Sequence, residues 1–203
     1  MMPIVRDLDL TAVHLMRGAH ADPQAGMCVM EAAAFIAGEH HTDEPACVSP
    51  VIAAFCRSWN DTMNDEDRQM LRPYIVEVLD TNTGADDDIT RSWMALDWLC
   101  RVHAPAWLRL AGLTHHAEAI EATARIVDAV TAGAAQPSLD AARAAAGAAA
   151  GAAARAAAAA GDAAGAAAAA WDAAWDALRP AVVALQQSAL TLLDNMIAVG
   201  KDA

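Results

Sequence analysis

The sequence predicts an all-α protein, a helical bundle with one long alanine-rich helix and a C-terminal amphipathic helix. Three observations carry that expectation. Residues 138–178 are dominated by alanine, the strongest helix former, and contain no proline. Residues 181–199 divide into two faces, with Val182, Leu185, Leu190, Leu193, Met196 and Ile197 on one and Gln187, Ser188, Thr191, Asp194 and Asn195 on the other. The single strand-like run, YIVEVL at 74–79, has no second run to pair with, which favours helix there too.

Taken in order, residues 4–17 are weakly amphipathic and Gly18 supplies a helix stop. After the turn-prone HADPQAG, the run MCVMEAAAFIA is apolar on every side except at Glu31, which predicts a short central helix closed by Gly38. Pro50 then starts the helix VIAAFCRSW, and Asn64 caps DEDRQML, where three acids sit in the first turn. A helix beginning at Asp88 or Thr90 runs to Arg109 with Trp93, Leu96, Cys100, His103 and Trp107 at spacings of three and four. Thr114 caps HHAEAIEATARIVDAVTA, which Gly133 and Pro137 close.

Ser138 is the expected cap of the alanine helix, which at about 1.5 Å per residue extends roughly 60 Å. Stepping about 100° per residue places Arg143, Arg155, Asp162, Asp172, Asp176 and Arg179 on one side and Leu139, Trp171, Trp175 and Leu178 on the other. Gly147, Gly151, Gly161 and Gly165 share the charged side. Two readings of these glycines remain: drift in a GC-rich genome, which the 12 Arg against one Lys also suggest, or a groove admitting a close backbone. An alanine face buries little area, so Trp171 and Trp175 are the anchors and the candidate interaction residues. Pro180 kinks the helix or separates it from the last one. Two parts follow: an acidic helical bundle over 1–137, and the alanine helix with the C-terminal helix over 138–203, packed on the first as one unit.

Charge limits the partners. Formal net charge is −13, with 20 acids and 9 bases in 1–137 against 6 and 4 in 138–203. Such a surface repels phosphate, disfavouring direct nucleic-acid or anionic-membrane binding. Asp7 and Asp9 interrupt the N-terminal apolar stretch, so no targeting segment is evident. Uncharged runs reach only about a dozen residues, short of a bilayer span. The expectation is a cytoplasmic protein whose cysteines, at 28, 47, 56 and 100, are reduced.

The block from Gly26 to Leu113, through GMCVMEAAAFIAGE, TDEPACVSPVIAAFCRSWND, RSWMALDWL and APAWLRLAGL, resembles an uncharacterised family of alanine-rich helical proteins of actinobacteria and their bacteriophages. Counting the Ala/Gly/Arg/Asp-rich region, the likeness covers roughly residues 26 to 199. It implies a helical fold and a high-GC bacterial or phage source. It implies no reaction, and no functional residue carries over.

The best chemical candidate is the set Cys28, Glu31, His40, His41 and Cys47. Cys28 and Glu31 lie three apart on one helical face, and the following loop can return an imidazole and a second thiolate, ligand types that zinc accepts. The competing reading makes Glu31 a buried acid held by an Arg or by loop amides, with the cysteines as small core residues. Asp97, Cys100 and His103 also share a face, where a satisfied core histidine is the simpler expectation. His115 and His116, beside a helix cap, are expected to be solvated. Trp59, Trp93, Trp98 and Trp107 suit a core as well as a planar ligand. Nucleotide-binding and serine-hydrolase signatures are absent from the sequence. The leading expectation is a non-catalytic protein acting through a protein partner or self-association. The alternatives are a metal-binding protein or enzyme around Glu31, with zinc, and an acidic inhibitor of a basic or nucleic-acid-binding partner.

Overall fold

The structure, a computed structural model, describes residues 6–160 and 164–201, with the side chains of 154 and 156–177 outside that description. The regular elements among the described residues are all helical: α1 Val29–Ile36, α2 Pro50–Thr62, α3 Asp65–Arg68, a 3-10 turn Gln69–Leu71, α4 Tyr74–Glu77, α5 Ala85–Trp98, a π-helical turn Leu99–His103, α6 Ala104–Leu110, α7 Thr114–Glu121, α8 Ala129–Ala160 and α9 Ala164–Ala198. By packing, the chain forms two compact units, Met1–Ser92 with Leu193–Ala203, and Trp93–Leu192. The sequence reading divided the chain at 137/138, whereas these units divide it within α5 and α9.

Local chemistry explains most helix ends. Ser49 accepts from the Ile52 amide and Pro50 occupies the first position of α2. Asn64 accepts from the Asp67 amide at 2.8 Å to open α3. The helix expected over 4–17 does not form among residues 6–17, which run as loop and turn. Asp9 draws its carboxylate back to the amide and hydroxyl of Thr11, at 2.9 and 2.7 Å, a local bond that competes with helix.

Three further boundaries differ from the sequence reading. The helix expected from Asp88 begins at Ala85, after Gly84. It passes through a π turn in which the Ala104 amide bonds the Leu99 carbonyl, one residue beyond the α pattern. Pro105 has no amide and its ring crowds the Arg101 carbonyl, so a wider turn before it relieves the clash. The helix opened at Thr114 ends at Glu121, and the next one opens at Asp128, not Ser138. Asp128 Oδ1 accepts from the Thr131 amide at 2.8 Å, a cap that starts α8 ten residues early and carries it through Gly133 and Pro137. Pro180 likewise lies inside α9.

The core of the first unit is built from α1, α2, α4 and the end of α9. Val29, Met30, Ile36, Ile52, Cys56, Leu71, Ile75, Val78, Leu193, Met196 and Ile197 are buried there. Arg91 is buried among them without exposure. Its guanidinium donates to the Met196 carbonyl at 3.0 Å, the Val199 carbonyl at 2.7 Å, Asp88 Oδ1 at 3.0 Å and the Thr83 hydroxyl at 3.1 Å. These bonds satisfy carbonyls at the C-terminal end of α9 that the helix itself leaves open. At Gly200, with φ of 78°, a Cβ would overlap Thr83 and Asp87, so only glycine lets the chain pass this close.

In the second unit, Leu108, Ala117, Ile120 and Ala142 form a core, with Leu113, Leu139 and Ala146 packed against it. The early part of α8 thus packs on α6 and α7. A Cβ placed on Gly133 or Gly147 meets nothing within 4 Å, so no neighbouring backbone within the chain requires glycine there. The window Leu178–Ala198, with mean hydropathy 1.2, is long and apolar enough by composition to cross a membrane, and 33% of it is buried within the protein. Its final turns are packed: Tyr74 donates its hydroxyl to Asp194 at 2.7 Å, and Arg91 holds the end.

Replacing Arg91 by Ala removes the cation beside Asp88, which keeps the Ser49 hydroxyl as donor, and takes the guanidinium from two carbonyls, and urea unfolding is expected to show a loss of about 3–5 kcal/mol. Gly147→Ala is expected to act in the opposite direction, adding about 0.5–1 kcal/mol of helix stability. A raised melting temperature by circular dichroism checks it.

Candidate functional site

The first unit gathers its polar chemistry around Glu31, 1% exposed in the first turn of α1. Cys28 and Glu31 form a reciprocal cap: the Cys28 amide donates to Glu31 Oε2 at 2.7 Å, and the Glu31 amide to Cys28 Sγ at 3.5 Å. The same carboxylate then collects the loop before the helix. The His20 amide donates to Oε1 at 2.6 Å and His20 Nδ1 lies 2.7 Å from Oε2. His41 Nε2 lies 3.5 Å from Oε1 and 3.1 Å from the His20 carbonyl. Neither a carboxylate nor a carbonyl can donate, so the hydrogens sit on His20 Nδ1 and His41 Nε2.

The strap from Leu15 to His20 is sewn down by side chains rather than by a sheet. Gln69 Oε1 accepts from the Leu15 amide and its Nε2 donates to the Leu15 carbonyl, both at 3.0 Å. Asn60 donates to the Met16 carbonyl at 2.9 Å, and Asp61 accepts from the Gly18 amide at 2.8 Å. Gly26, at φ 132°, lets the returning chain pass against Met16 and the His20 ring, which a Cβ would strike.

Burial raises the Glu31 pKa, but the amides of Cys28 and His20 and the His20 imidazole outweigh it, holding the carboxyl below its usual 4.5. The thiols respond in the opposite sense. Burial pushes Cys28 up to about 12, and burial with the Glu39 carboxylate does the same to Cys47. Cys56 is likewise pushed to about 12 by burial, and Cys100 is raised by burial and then by Asp97. Thiols held in the neutral form are poor nucleophiles.

The five residues proposed for a metal are therefore only partly brought together. Cys28, Glu31 and His41 meet in one cluster, completed by His20, which the sequence reading passed over. His40 is exposed, and Cys47 sits with Glu39, whose carboxylate accepts from the Ala46 and Cys47 amides at 2.7 and 2.9 Å. Among the described residues, no three His, Cys, Asp or Glu side chains are placed to hold a metal ion. Glu31 matches the competing expectation of a carboxylate held by loop amides, with a histidine where an Arg was the alternative. A cavity of about 310 Å³ lies elsewhere in this unit, over Pro45, Val48, Pro50 and Ala53. Its Arg57 is already engaged by the Asp43 carbonyl at 2.9 Å and Glu44 at 3.0 Å.

The second unit holds the other group singled out from sequence. Asp97 Oδ1 accepts from the Ile126 amide at 2.8 Å and lies 3.4 Å from Arg101, so it fastens the α7–α8 connection. His103 ends the π turn, with the Trp98 ring centroid at 5.2 Å and that of Trp107 at 6.2 Å. Trp107 Nε1 donates to His103 Nε2 at 3.1 Å, and burial lowers the His103 pKa below 6.5. His115 is exposed as expected, whereas His116 is half-buried, its ring 5.8 Å from that of His115. Trp171 and Trp175 lie on α9, and their side chains fall outside the described residues. No family model, curated protein or solved structure matches this chain. Function rests on these residues alone.

Because the Glu31 pKa is depressed in the folded state, its contribution to stability is complete above pH 4.5 and is lost as pH falls through the folded value. Glu31→Gln is expected to destabilise the fold by about 1–3 kcal/mol near neutral pH, since buried donors lose their acceptor. The acid limb of a pH series of urea midpoints should flatten with it.

Proposed function

We propose that this is a non-catalytic helical protein that works through protein–protein contact, with a second copy of the chain as its partner. The observation carrying the reading is the run Leu99, Val102, Trp107 and Leu110, exposed by 48, 41, 39 and 41% along the π turn and α6. Four large apolar side chains within twelve residues leave in water an area whose burial gains about 25 cal/mol per Å².

Charge favours a second copy. Residues 93–192 carry 8 acids and 6 bases, whereas the rest of the chain carries 18 and 7. A contact built from the surface of Trp93–Leu192 joins the less acidic of the two units, where like-charge repulsion is smaller. The strip also carries both signs beside it, in the partly exposed pair Arg109–Glu121 and in Arg125, which suits a two-fold contact in which one patch meets its own copy. Trp171 and Trp175, in the same unit, are the second pair of candidate contacts. The acid of the other unit serves solubility.

Light scattering over a concentration series is expected to give wild-type masses above the 21.1 kDa of one chain. Val102→Glu combined with Leu110→Glu is expected to return the mass to 21.1 kDa with unchanged helicity. A single-chain mass for the wild type at every concentration would overturn the reading.

A further inference from the structure

The indole of Trp107 sits in the exposed apolar strip and is tied to one acceptor, His103 Nε2, at 3.1 Å. An indole N–H can only donate, so this nitrogen carries a lone pair and the ring is the neutral form protonated at Nδ1. An imidazolium has a hydrogen on both nitrogens and cannot make the bond. We propose that His103 is a proton switch on this surface: a proton at Nε2 breaks the bond to Trp107 and loosens the indole from the strip, weakening association of two copies. The inference rests on the self-association reading above and adds its regulation.

The surrounding ionisable groups leave Trp107 as the partner of that nitrogen. On the same stretch, Asp97 is occupied by Arg101, by the Ile126 amide and, at 3.9 Å, by Arg125. Arg101 reaches on to the Glu121 carbonyl at 3.4 Å, and the Cys100 thiol is held neutral by burial. On α6, Arg109 makes a two-pronged pair with the Glu121 carboxylate of α7. The other ionisable groups of α7 are His115, His116 and Glu118. From α9, Ser188 accepts from the Trp98 indole at 3.0 Å, which fixes the ring beside His103. Burial already disfavours the imidazolium, in keeping with a ring that works neutral. The sign follows: association is complete while His103 is neutral and falls as pH drops through a midpoint below 6.5.

The test follows the Trp107 indole N–H resonance, identified by its absence in Trp107→Phe, together with the mass by light scattering, from about pH 7.5 to about pH 5. In the wild-type chain the resonance is expected to titrate with a midpoint below 6.5 and the mass to fall toward 21.1 kDa. In His103→Gln, whose amide oxygen accepts from the indole without titrating, both should stay flat. Trp107→Phe, which keeps the ring and lacks the donor, should lose the pH dependence of mass. An indole resonance that does not move, or that titrates unchanged in His103→Gln, overturns the switch. A single-chain mass at every pH sinks the self-association reading and with it the effect of His103 on association, even where the indole titrates. An oligomeric mass that holds constant through the titration sinks the switch and leaves the surface.

Discussion

The guanidinium of Arg91 closes the first unit. It joins two stretches of chain more than a hundred residues apart, because it bonds Asp88 and Thr83 on one side and the Met196 and Val199 carbonyls on the other. An arginine with no exposure is tolerable only when its donors are matched, and here a carboxylate, a hydroxyl and two helix-end carbonyls match them. With that centre satisfied, Leu193, Met196 and Ile197 complete the core shared with α1, α2 and α4. Glu31 plays the complementary part at the start of α1. It is the buried anion that takes up the amides of the approaching loop, as Arg91 is the buried cation that takes up the carbonyls of the departing helix.

These two residues mark what the sequence discloses. The helices α2 and α3 were legible in detail because their signals are local: Ser49 and Pro50, then Asn64 with three acids behind it. Glu31 could be flagged because an acid in an otherwise apolar run needs partners. Its histidine could not, since His20 lies eleven residues earlier in a turn and nothing in its spacing points to Glu31. Arg91 was hidden for the same reason, as two of its four acceptors are main-chain carbonyls near the other end of the chain. The strap at Leu15–His20 read as a weak helix because its hydrogen bonds go to Gln69, Asn60, Asp61, Glu31 and the Met27 carbonyl, all supplied by tertiary packing.

The second unit shows the converse error, in which strong local punctuation was overruled. Gly133, Pro137 and Ser138 look like an end followed by a start, yet the reciprocal bonds of Asp128 and Thr131 open the helix earlier. The chain then continues through the proline, since propensity in a long alanine run outweighs one lost amide. The pairing of His103 with Trp107 was visible as a spacing of four. Which nitrogen holds the lone pair needed the bond itself. That the π turn falls on the residues just before Pro105 places the least regular helical geometry of this unit beside the exposed apolar strip of Leu99, Val102, Trp107 and Leu110.

The core of the second unit reaches along α8 only to Ala146, and Gly147, Ala148, Ala150, Ala152 and Ala153 beyond it face water. Methyl groups at these exposed positions add little buried area to the core of Leu108, Ile120 and Ala142. The tract therefore relies on helix propensity rather than on burial to keep its shape.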